Sequence, residues 1–267
     1  MKISPCLNLY NFRSNNRLVA TERKTKQTVA MNMGICDLPL NYDLHYSNYT
    51  VFFRNDLNGM LKDWCEFDNW NDFIQVLSRK FKNVQKVHAY CLACSDGSEA
   101  YSLAMDLMDK MGADSEKFFP VNACDIDEHV IDVAKSGRIP CCERDIYKFS
   151  SNLDNFQNFA QVERDNDSLY FVPNENTASK IQFQRKNALD VIDKIESSDS
   201  LILARNFIPY LKDSEIELFA QKLADKLDNT SLLVTGVFDM RSSVWREALD
   251  KNFVEIYPLV YLKRVLI

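Results

Sequence analysis

Residues 84–112 read VQKVHAYCLACSDGSEAYSLAMDLMDKMG, and this stretch decides the fold. Its first part, 84–93, is an apolar run of the kind that forms strands, and 94–98 then interrupts it with turn residues. From Glu99 onward apolar side chains recur at spacings of three and four, which predicts a helix that Gly112 ends as a C-terminal cap. The stretch therefore predicts a strand, a tight turn and a helix in succession.

The same alternation continues along the chain. The further elements that it predicts are strand 120–124, helix 128–136 closed by Gly137, strand 181–184, helix 188–195, strand 200–204, helix 213–227, strand 231–235 and helix 242–249. Strands 252–257 and 259–266 meet at Pro258, a connection too short for a helical crossover, so this pair is expected to be antiparallel. The predicted fold class is α/β, a doubly wound, mostly parallel, Rossmann-like sheet with an antiparallel C-terminal strand pair.

Polar chain interrupts the alternation from about residue 139 to about residue 180, apart from a period-two stretch at 169–172. We interpret this segment as a small inserted subdomain. Residues 1–30 carry six basic side chains against Glu22 alone, a local charge of +5. The predicted division is an N-terminal basic arm or cap at 1–47 and one domain at 48–267 that contains the insertion.

Composition excludes several classes of protein. The chain has 267 residues, 46% of them hydrophobic and 26% charged, as in ordinary globular proteins. Its apolar runs fall far short of the ~18 uncharged residues that cross a bilayer, and its first 20 residues lack the apolar core of a secretory signal. The net charge of −6 does not attract nucleic acid. We expect a cytoplasmic monomer with no membrane insertion and no nucleic-acid partner.

The eight cysteines are expected to be reduced thiols in such a chain. Cys91 and Cys94 have the spacing of half a zinc site, but no second ligand pair follows at a usable distance. We therefore predict no metal site.

A doubly wound sheet binds ligands at the carboxyl ends of its strands, here the turns at 94–99, 125–127, 185–187 and 205–210. The first turn leads into a helix N-terminus, and Asp125 at the end of the next strand can accept both hydroxyls of a ribose. The turn has one glycine, and no Lys-Ser or Lys-Thr pair cradles phosphate, which disfavours NAD and nucleoside triphosphates. These features favour an adenosine cofactor without phosphates, of which S-adenosylmethionine is the common one.

Four ordered blocks of this sequence resemble the CheR-type chemotaxis receptor methyltransferases, which methylate receptor glutamates. The blocks are NYTVFFR at 48–54, ACSDGSEAYSLAM at 93–105, ACDID at 123–127 and RNFIPY at 205–210. The resemblance implies a methyltransferase fold, S-adenosylmethionine as the cofactor, and a protein substrate such as a chemoreceptor or another signalling protein.

The resemblance also implies a cofactor pocket. Its residues are Asn48, Thr50, Arg54, Ala93, Gly97, Glu99, Asp125, Ile126, Asn187, Ala188 and Asn206. Within it, Glu99 is implied to bind the methionine amino group, and Asn187 and Ala188 to flank the adenine. Arg54 and Tyr210 are the implied catalytic residues and face the carboxylate of the substrate.

This sequence departs from the family pattern at three positions within the four blocks. Ser98 stands where the family has a glutamate, Asp96 replaces a threonine, and Pro209 precedes Tyr210. A substrate glutamate, with a reference pKa of ~4.3, is ionised at neutral pH and needs no general base. The predicted function is methyl transfer to a protein carboxylate. The alternatives are transfer to a small molecule, or a binding module of the same fold that has lost catalysis.

Overall fold

The computed structural model describes residues 70–141, 155–166 and 168–265. Its strands are β1 (His88–Leu92), β2 (Val121–Asp125), β3 (Ile139–Cys141), β4 (Ala160–Asp165), β5 (Ser168–Pro173), β6 (Ile181–Arg185), β7 (Ser200–Ala204), β8 (Leu232–Thr235), β9 (Phe253–Tyr257) and β10 (Val260–Lys263). Its α-helices are α1 (Trp70–Lys80), α2 (Ser98–Met111), α3 (Glu128–Ser136), α4 (Glu175–Ser179), α5 (Ala188–Ile192), α6 (Asp213–Lys226) and α7 (Ser243–Asn252).

Seven of these strands form one sheet in the order β6-β2-β1-β7-β8-β10-β9. Strands β6, β2, β1, β7 and β8 are parallel to one another, whereas β10 is antiparallel to both of its neighbours. The predicted Rossmann-like α/β fold, with its antiparallel C-terminal pair, is confirmed. None of the helices in the described ranges is long and apolar enough to span a membrane.

Burial explains why these segments pair as they do. All five residues of β7 are buried, as expected of a central parallel strand that has helices on both faces. Helix α6 buries one apolar stripe, formed by Ile216, Phe219, Ala220, Leu223 and Ala224. Helix α2 buries its first ten residues, so the turn before it rests on a rigid element.

Several predicted boundaries were wrong, and the helix predicted at 242–249 extends to Asn252. Strand β1 begins at His88 rather than at residue 84, because Val84 N–H donates to Phe81 O (3.1 Å) in a turn that follows α1. The helix predicted at 188–195 ends at Ile192, and the next residues form a turn. The last strand ends at Lys263, short of the predicted residue 266, which lies outside the described ranges.

The described residues of the inserted segment form a separate antiparallel sheet in the order β3-β5-β4. Phe171 in this sheet packs against Tyr101 of α2, with ring centroids 6.0 Å apart. The Tyr101 hydroxyl donates to Ala134 O of α3 (2.9 Å). One tyrosine therefore joins the small sheet to both helices that follow the first two strands. The predicted arm at 1–47 lies outside the described residues.

Candidate active site

The turn between β1 and α2 has an unusual backbone. Ala93 and Ser95 have φ angles of 56° and 51°, and Gly97, the N-terminal cap of α2, has φ 84°. A Cβ atom on Gly97 would lie 2.8 Å from Cζ of Phe183 and 3.0 Å from Cβ of Ala134. Glycine is required at position 97 because the turn packs directly onto β6 and α3 in a left-handed conformation.

Two of the departures from the family pattern contact each other in this turn. Asp96 Oδ1 accepts hydrogen bonds from the backbone N–H of Ser98 (3.1 Å) and from the Ser98 hydroxyl. Both side chains are buried. The carboxylate thus binds one of the N–H groups that a helix leaves unpaired at its start.

Asp125, the predicted ribose ligand, is buried at the end of β2. Its Oδ2 accepts from Ser95 N–H (2.9 Å), and its Oδ1 accepts from Asp127 N–H (3.0 Å). These bonds join the first turn to the second and fix the direction of the carboxylate. Its contact with ribose stays a prediction.

The residues after Asp125 begin helix α3. Asp127 Oδ1 caps the helix by accepting from His129 N–H (2.8 Å), while Asp127 Oδ2 is buried without a hydrogen-bond partner. The Ile126 carbonyl accepts from Nε of Arg185 (3.2 Å), whose Nη1 pairs with Glu128. The second turn is therefore held from the β6 side as well.

Glu99 lies in the first turn of α2, as predicted, and its carboxylate is buried. Its Oε1 forms an ion pair with Nη1 of Arg205, and its Oε2 accepts from the Cys91 thiol (3.2 Å). Burial raises the pKa of Glu99 and lowers the pKa of Arg205. The ion pair opposes both shifts, so it favours the charged form of each partner.

On the adenine side, Asn187 and Ala188 begin helix α5. The Asn187 side-chain oxygen accepts from Leu189 N–H (2.9 Å) and so serves as the helix cap. Ala188 is buried in the same apolar cluster as Leu92 and Cys124. Both residues lie at the carboxyl edge of the sheet, and their contact with adenine stays a prediction.

Asn206 follows β7 in a left-handed conformation, with φ 62°. Its backbone N–H donates to Asp239 Oδ2 (2.6 Å), and Ile208 N–H donates to Asp239 Oδ1 (3.0 Å). Gly236 N–H (2.8 Å) and the Thr235 hydroxyl (3.1 Å) also donate to Oδ2. The turns after β7 and β8 are thus joined through one buried carboxylate.

Tyr210 ends a 3₁₀ turn, Ile208–Tyr210, and is half-buried against the apolar cluster that contains Phe207. Its N–H donates to Phe207 O (3.0 Å). Pro209 lies in the first residues of this turn, where a missing N–H breaks no bond within the turn, and its side chain is exposed. The extra proline is therefore accommodated without distortion of the tyrosine.

The structure brings most predicted site residues to one edge of the sheet, formed by the turns at 93–99, 125–127, 187–188, 205–210 and 236–239. Asn48, Thr50 and Arg54 lie outside the described residues. Arg205 and Asp239 are the buried charged residues at this edge that matter most to the site and had no role assigned from sequence. Arg205 stands inside a matched block, whereas the turn after β8 was not counted as part of the ligand edge.

Among the described residues, buried carboxylates outnumber buried cationic side chains at this edge. The buried carboxylates are Asp96, Glu99, Asp125, Asp127 and Asp239, and the buried guanidinium is that of Arg205. Such a set suits a ligand with hydroxyls and positive charges, and it repels phosphate. S-adenosylmethionine carries a ribose, an ammonium, a sulfonium and one carboxylate, so its hydroxyls and its net positive charge fit these residues. Among the described residues, no group of three or more His, Cys, Asp or Glu is arranged to hold a metal ion.

Comparison with known proteins agrees with this geometry. Residues 48–246 match the family described as "CheR methyltransferase, SAM binding domain". A chemotaxis protein methyltransferase from Borreliella burgdorferi is 26% identical over 220 residues, which are 81% of this chain and 71% of that protein.

Solved structures give weaker similarities. TrmN from Thermus thermophilus has a TM-score of 0.39 at 17% identity and covers 73% of this chain and 49% of its own. Magnesium protoporphyrin IX methyltransferase from Synechocystis, with bound S-adenosylhomocysteine, has a TM-score of 0.31 at 12% identity and covers 67% of this chain and 60% of its own. The fold class rests on the sheet order itself.

Proposed function

Because this chain belongs to the CheR family of methyltransferases, we propose that it transfers a methyl group to the carboxylate of a glutamate in a protein. The observation that carries the proposal is the family match over residues 48–246, and the cluster of buried carboxylates at the carboxyl edge of the sheet supports the cofactor. S-adenosylmethionine is the cofactor of this domain.

In the proposed site, Asp125 accepts the ribose hydroxyls, and Ile126, Asn187 and Ala188 flank the adenosine. When bound, S-adenosylmethionine would supply a methyl group on a positively charged sulfur. A carboxylate oxygen would bond to the methyl carbon as the carbon–sulfur bond breaks and S-adenosylhomocysteine leaves, without any proton transfer. Glu99, paired with Arg205, holds the amino group of the methionine portion. Ala93, Gly97 and Asn206 let the backbone approach the ligand closely, as the left-handed conformations at 93, 97 and 206 support.

The substrate carboxylate meets an edge that already carries excess negative charge, so it needs a cation of its own. We assign this role to Arg54, whose planar fork can bind a carboxylate through two hydrogen bonds. Tyr210 orients the same carboxylate through its hydroxyl. Alignment of the reacting groups then does most of the catalytic work, since an ionised glutamate needs no general base.

The substrate class follows from the relative rather than from the site. The Borreliella protein is named a chemotaxis protein methyltransferase, which supports a signalling protein, such as a chemoreceptor, as the methyl acceptor here. We accordingly propose a cytoplasmic, monomeric enzyme, with Asn48 and Thr50 completing the methionine end of its cofactor pocket.

The proposal is tested by the stability of the product. A methylated carboxylate is an ester that mild alkali hydrolyses to methanol, whereas methylated nitrogen withstands alkali. After incubation of the enzyme with methyl-labelled cofactor and a cell lysate, we expect protein-bound label that alkali releases as volatile methanol. Label that resists alkali would contradict carboxyl transfer. Label found only in small molecules, or none at all despite cofactor binding, would favour a small-molecule methyltransferase or a binding module.

A further inference from the structure

We propose that the ionised carboxylate of Asp239 is a positioning group that holds the turn at 205–210 in the conformation that binds the cofactor. Of the function proposed above, this inference uses only the position of the cofactor at this edge of the sheet. Asp239 itself is fully buried behind the turn. It is therefore expected to act through Asn206 and its neighbours rather than by touching the ligand.

The contacts of Asp239 are suited to a carboxylate. Its two oxygens accept from three backbone N–H groups, those of Asn206, Ile208 and Gly236, and from the Thr235 hydroxyl. All four partners are donors. An ionised carboxylate only accepts, whereas an amide or a protonated acid would direct a donor of its own at one of them. A change of charge at this residue is thus also a change in hydrogen-bond pattern.

The residues after β7 are no longer held by the hydrogen bonds of the sheet, so their conformation must be fixed by another part of the protein. Asn206 has a positive φ, and the N–H groups of Asn206 and Ile208 bond to a side chain more than thirty positions away. A Cβ on Gly236 would lie 2.1 Å from Oδ1 of Asn206, so the two turns touch closely. Backbone conformations of this kind persist only when the surroundings fix them.

A further layer fixes Asp239 in turn. The buried Trp245 of α7 donates from Nε1 to Oγ1 of Thr235 (3.0 Å), and that hydroxyl donates to Asp239 (3.1 Å). Because the indole already occupies the oxygen of Thr235 as an acceptor, the hydroxyl proton is directed at the carboxylate. The turn is therefore connected to the core of α7.

The charge state of Asp239 changes in an accessible pH range. Burial raises its pKa to about 6, although its four hydrogen bonds lower it. Within the described residues, the charged groups coupled to it are Glu99 on α2 and Arg205 at the end of β7. Above about pH 6 the carboxylate is ionised and accepts all four bonds. Below that pH a proton turns one oxygen into a donor, so cofactor affinity is expected to fall.

The test measures S-adenosylhomocysteine binding by calorimetry as a function of pH, with Asp239→Asn and the matched control Asp228→Asn. Asp228 also accepts from a backbone N–H and a hydroxyl, both of Thr230, but at the opposite end of β8. We expect Asp239→Asn to weaken binding at neutral pH by at least about tenfold and to remove the affinity change near pH 6. Asp228→Asn should keep the affinity and pH profile of the unmodified protein.

Wild-type affinity and pH profile in Asp239→Asn, or an equal loss in Asp228→Asn, would overturn the inference. Should Asp239→Asn fail to fold, a pH titration of the unmodified protein followed by NMR still tests the inference. Its amide resonances of Asn206, Ile208 and Gly236 should shift together in one titration step in the pH range where affinity falls. Absence of that common step would overturn the inference. No methyl acceptor is present in either measurement, so failure of carboxyl transfer in the alkali test would leave this result untouched.

Discussion

Glu99 and Arg205 form a buried ion pair that joins the first turn of α2 to the end of β7. The two residues are 106 positions apart in sequence, and both lie at the edge where the cofactor is proposed to bind. A buried pair of this kind contributes less than its Coulomb attraction suggests, because both charges lose water. Its rupture is costly, however, since one charge is left buried without a partner.

Replacement of the arginine measures that cost. Arg205→Met is expected to lower the free energy of unfolding by about 3–5 kcal/mol, because Glu99 is left uncompensated. Arg185 is exposed, so the same substitution there, which removes its ion pair with Glu128 and its hydrogen bond to the Ile126 carbonyl, should cost less, no more than about 2 kcal/mol. Urea unfolding of both variants makes the comparison. Equal losses would mean that the Glu99–Arg205 pair has no special importance.

The proposed contact of Asp125 with ribose is tested by comparing substitutions at Asp125 and at the neighbouring Asp127. Asp125→Ala should weaken S-adenosylhomocysteine binding by about ten- to a hundredfold, since hydrogen bonds to a charged acceptor are worth roughly 1.5–3 kcal/mol. Asp127→Ala should mainly remove the cap of α3, at a cost of about 0.5–2 kcal/mol in stability. Calorimetry on both variants separates the roles. The reverse order of affinities would assign the ribose to Asp127, whose Oδ2 has no protein partner.

The contact between Asp96 and Ser98 suggests that two departures from the family pattern compensate each other. The family pattern has a threonine and a glutamate at these positions, whereas this chain has an acceptor at 96 and a donor at 98. Ser98→Glu alone would place two carboxylates together in a buried turn, and Asp96→Thr alone would replace the charged acceptor of two hydrogen bonds by a neutral hydroxyl. Both single changes should destabilise the protein.

The double variant D96T/S98E should recover most of that loss, with a coupling energy between about 0.5 and 3 kcal/mol. Thermal or urea unfolding of the three variants completes the cycle. Additive losses would show that the two positions do not act as a pair. Cofactor affinity should follow the same order as stability, because Asp96 helps to fix the turn that leads into α2.

Tyr210 is proposed to contact the substrate only. Tyr210→Phe should therefore keep S-adenosylhomocysteine affinity within about twofold while turnover falls. Since the ring is half-buried against Phe207 and its neighbours, phenylalanine preserves the packing. Full turnover in this variant would identify Tyr210 as a core residue without a catalytic role.

The sequence was sufficient to predict the main sheet because strands and helices alternate with the two periodicities that define them. It did not predict α1, α4, β3 or β4. Strand β4, at 160–165, has four polar or charged residues of six and lies on a small sheet at the surface, so its apolar signal is weak. Elements that bury little apolar surface leave little trace in a hydrophobic pattern.

The sequence predicted those site residues whose position follows from the order of neighbouring strands, turns and helices. Asp125 ends strand β2, and Glu99 follows the turn after β1, so both lie at the carboxyl edge. The role of Asp239 was not predictable, because its partners are backbone N–H groups of residues as distant as Asn206, and backbone groups have no sequence signature. Nor does any pattern indicate that Arg205 turns inward to Glu99.

The most direct measurement is the position of the transferred methyl group. A protein labelled by this enzyme with S-adenosylmethionine can be digested at mildly acidic pH, which preserves esters, and its fragments sequenced by mass spectrometry. We predict one added methyl group on the side chain of a glutamate, lost when the same digest is treated with mild alkali. A methyl group on lysine, arginine, glutamine or any other nitrogen would contradict the proposed function.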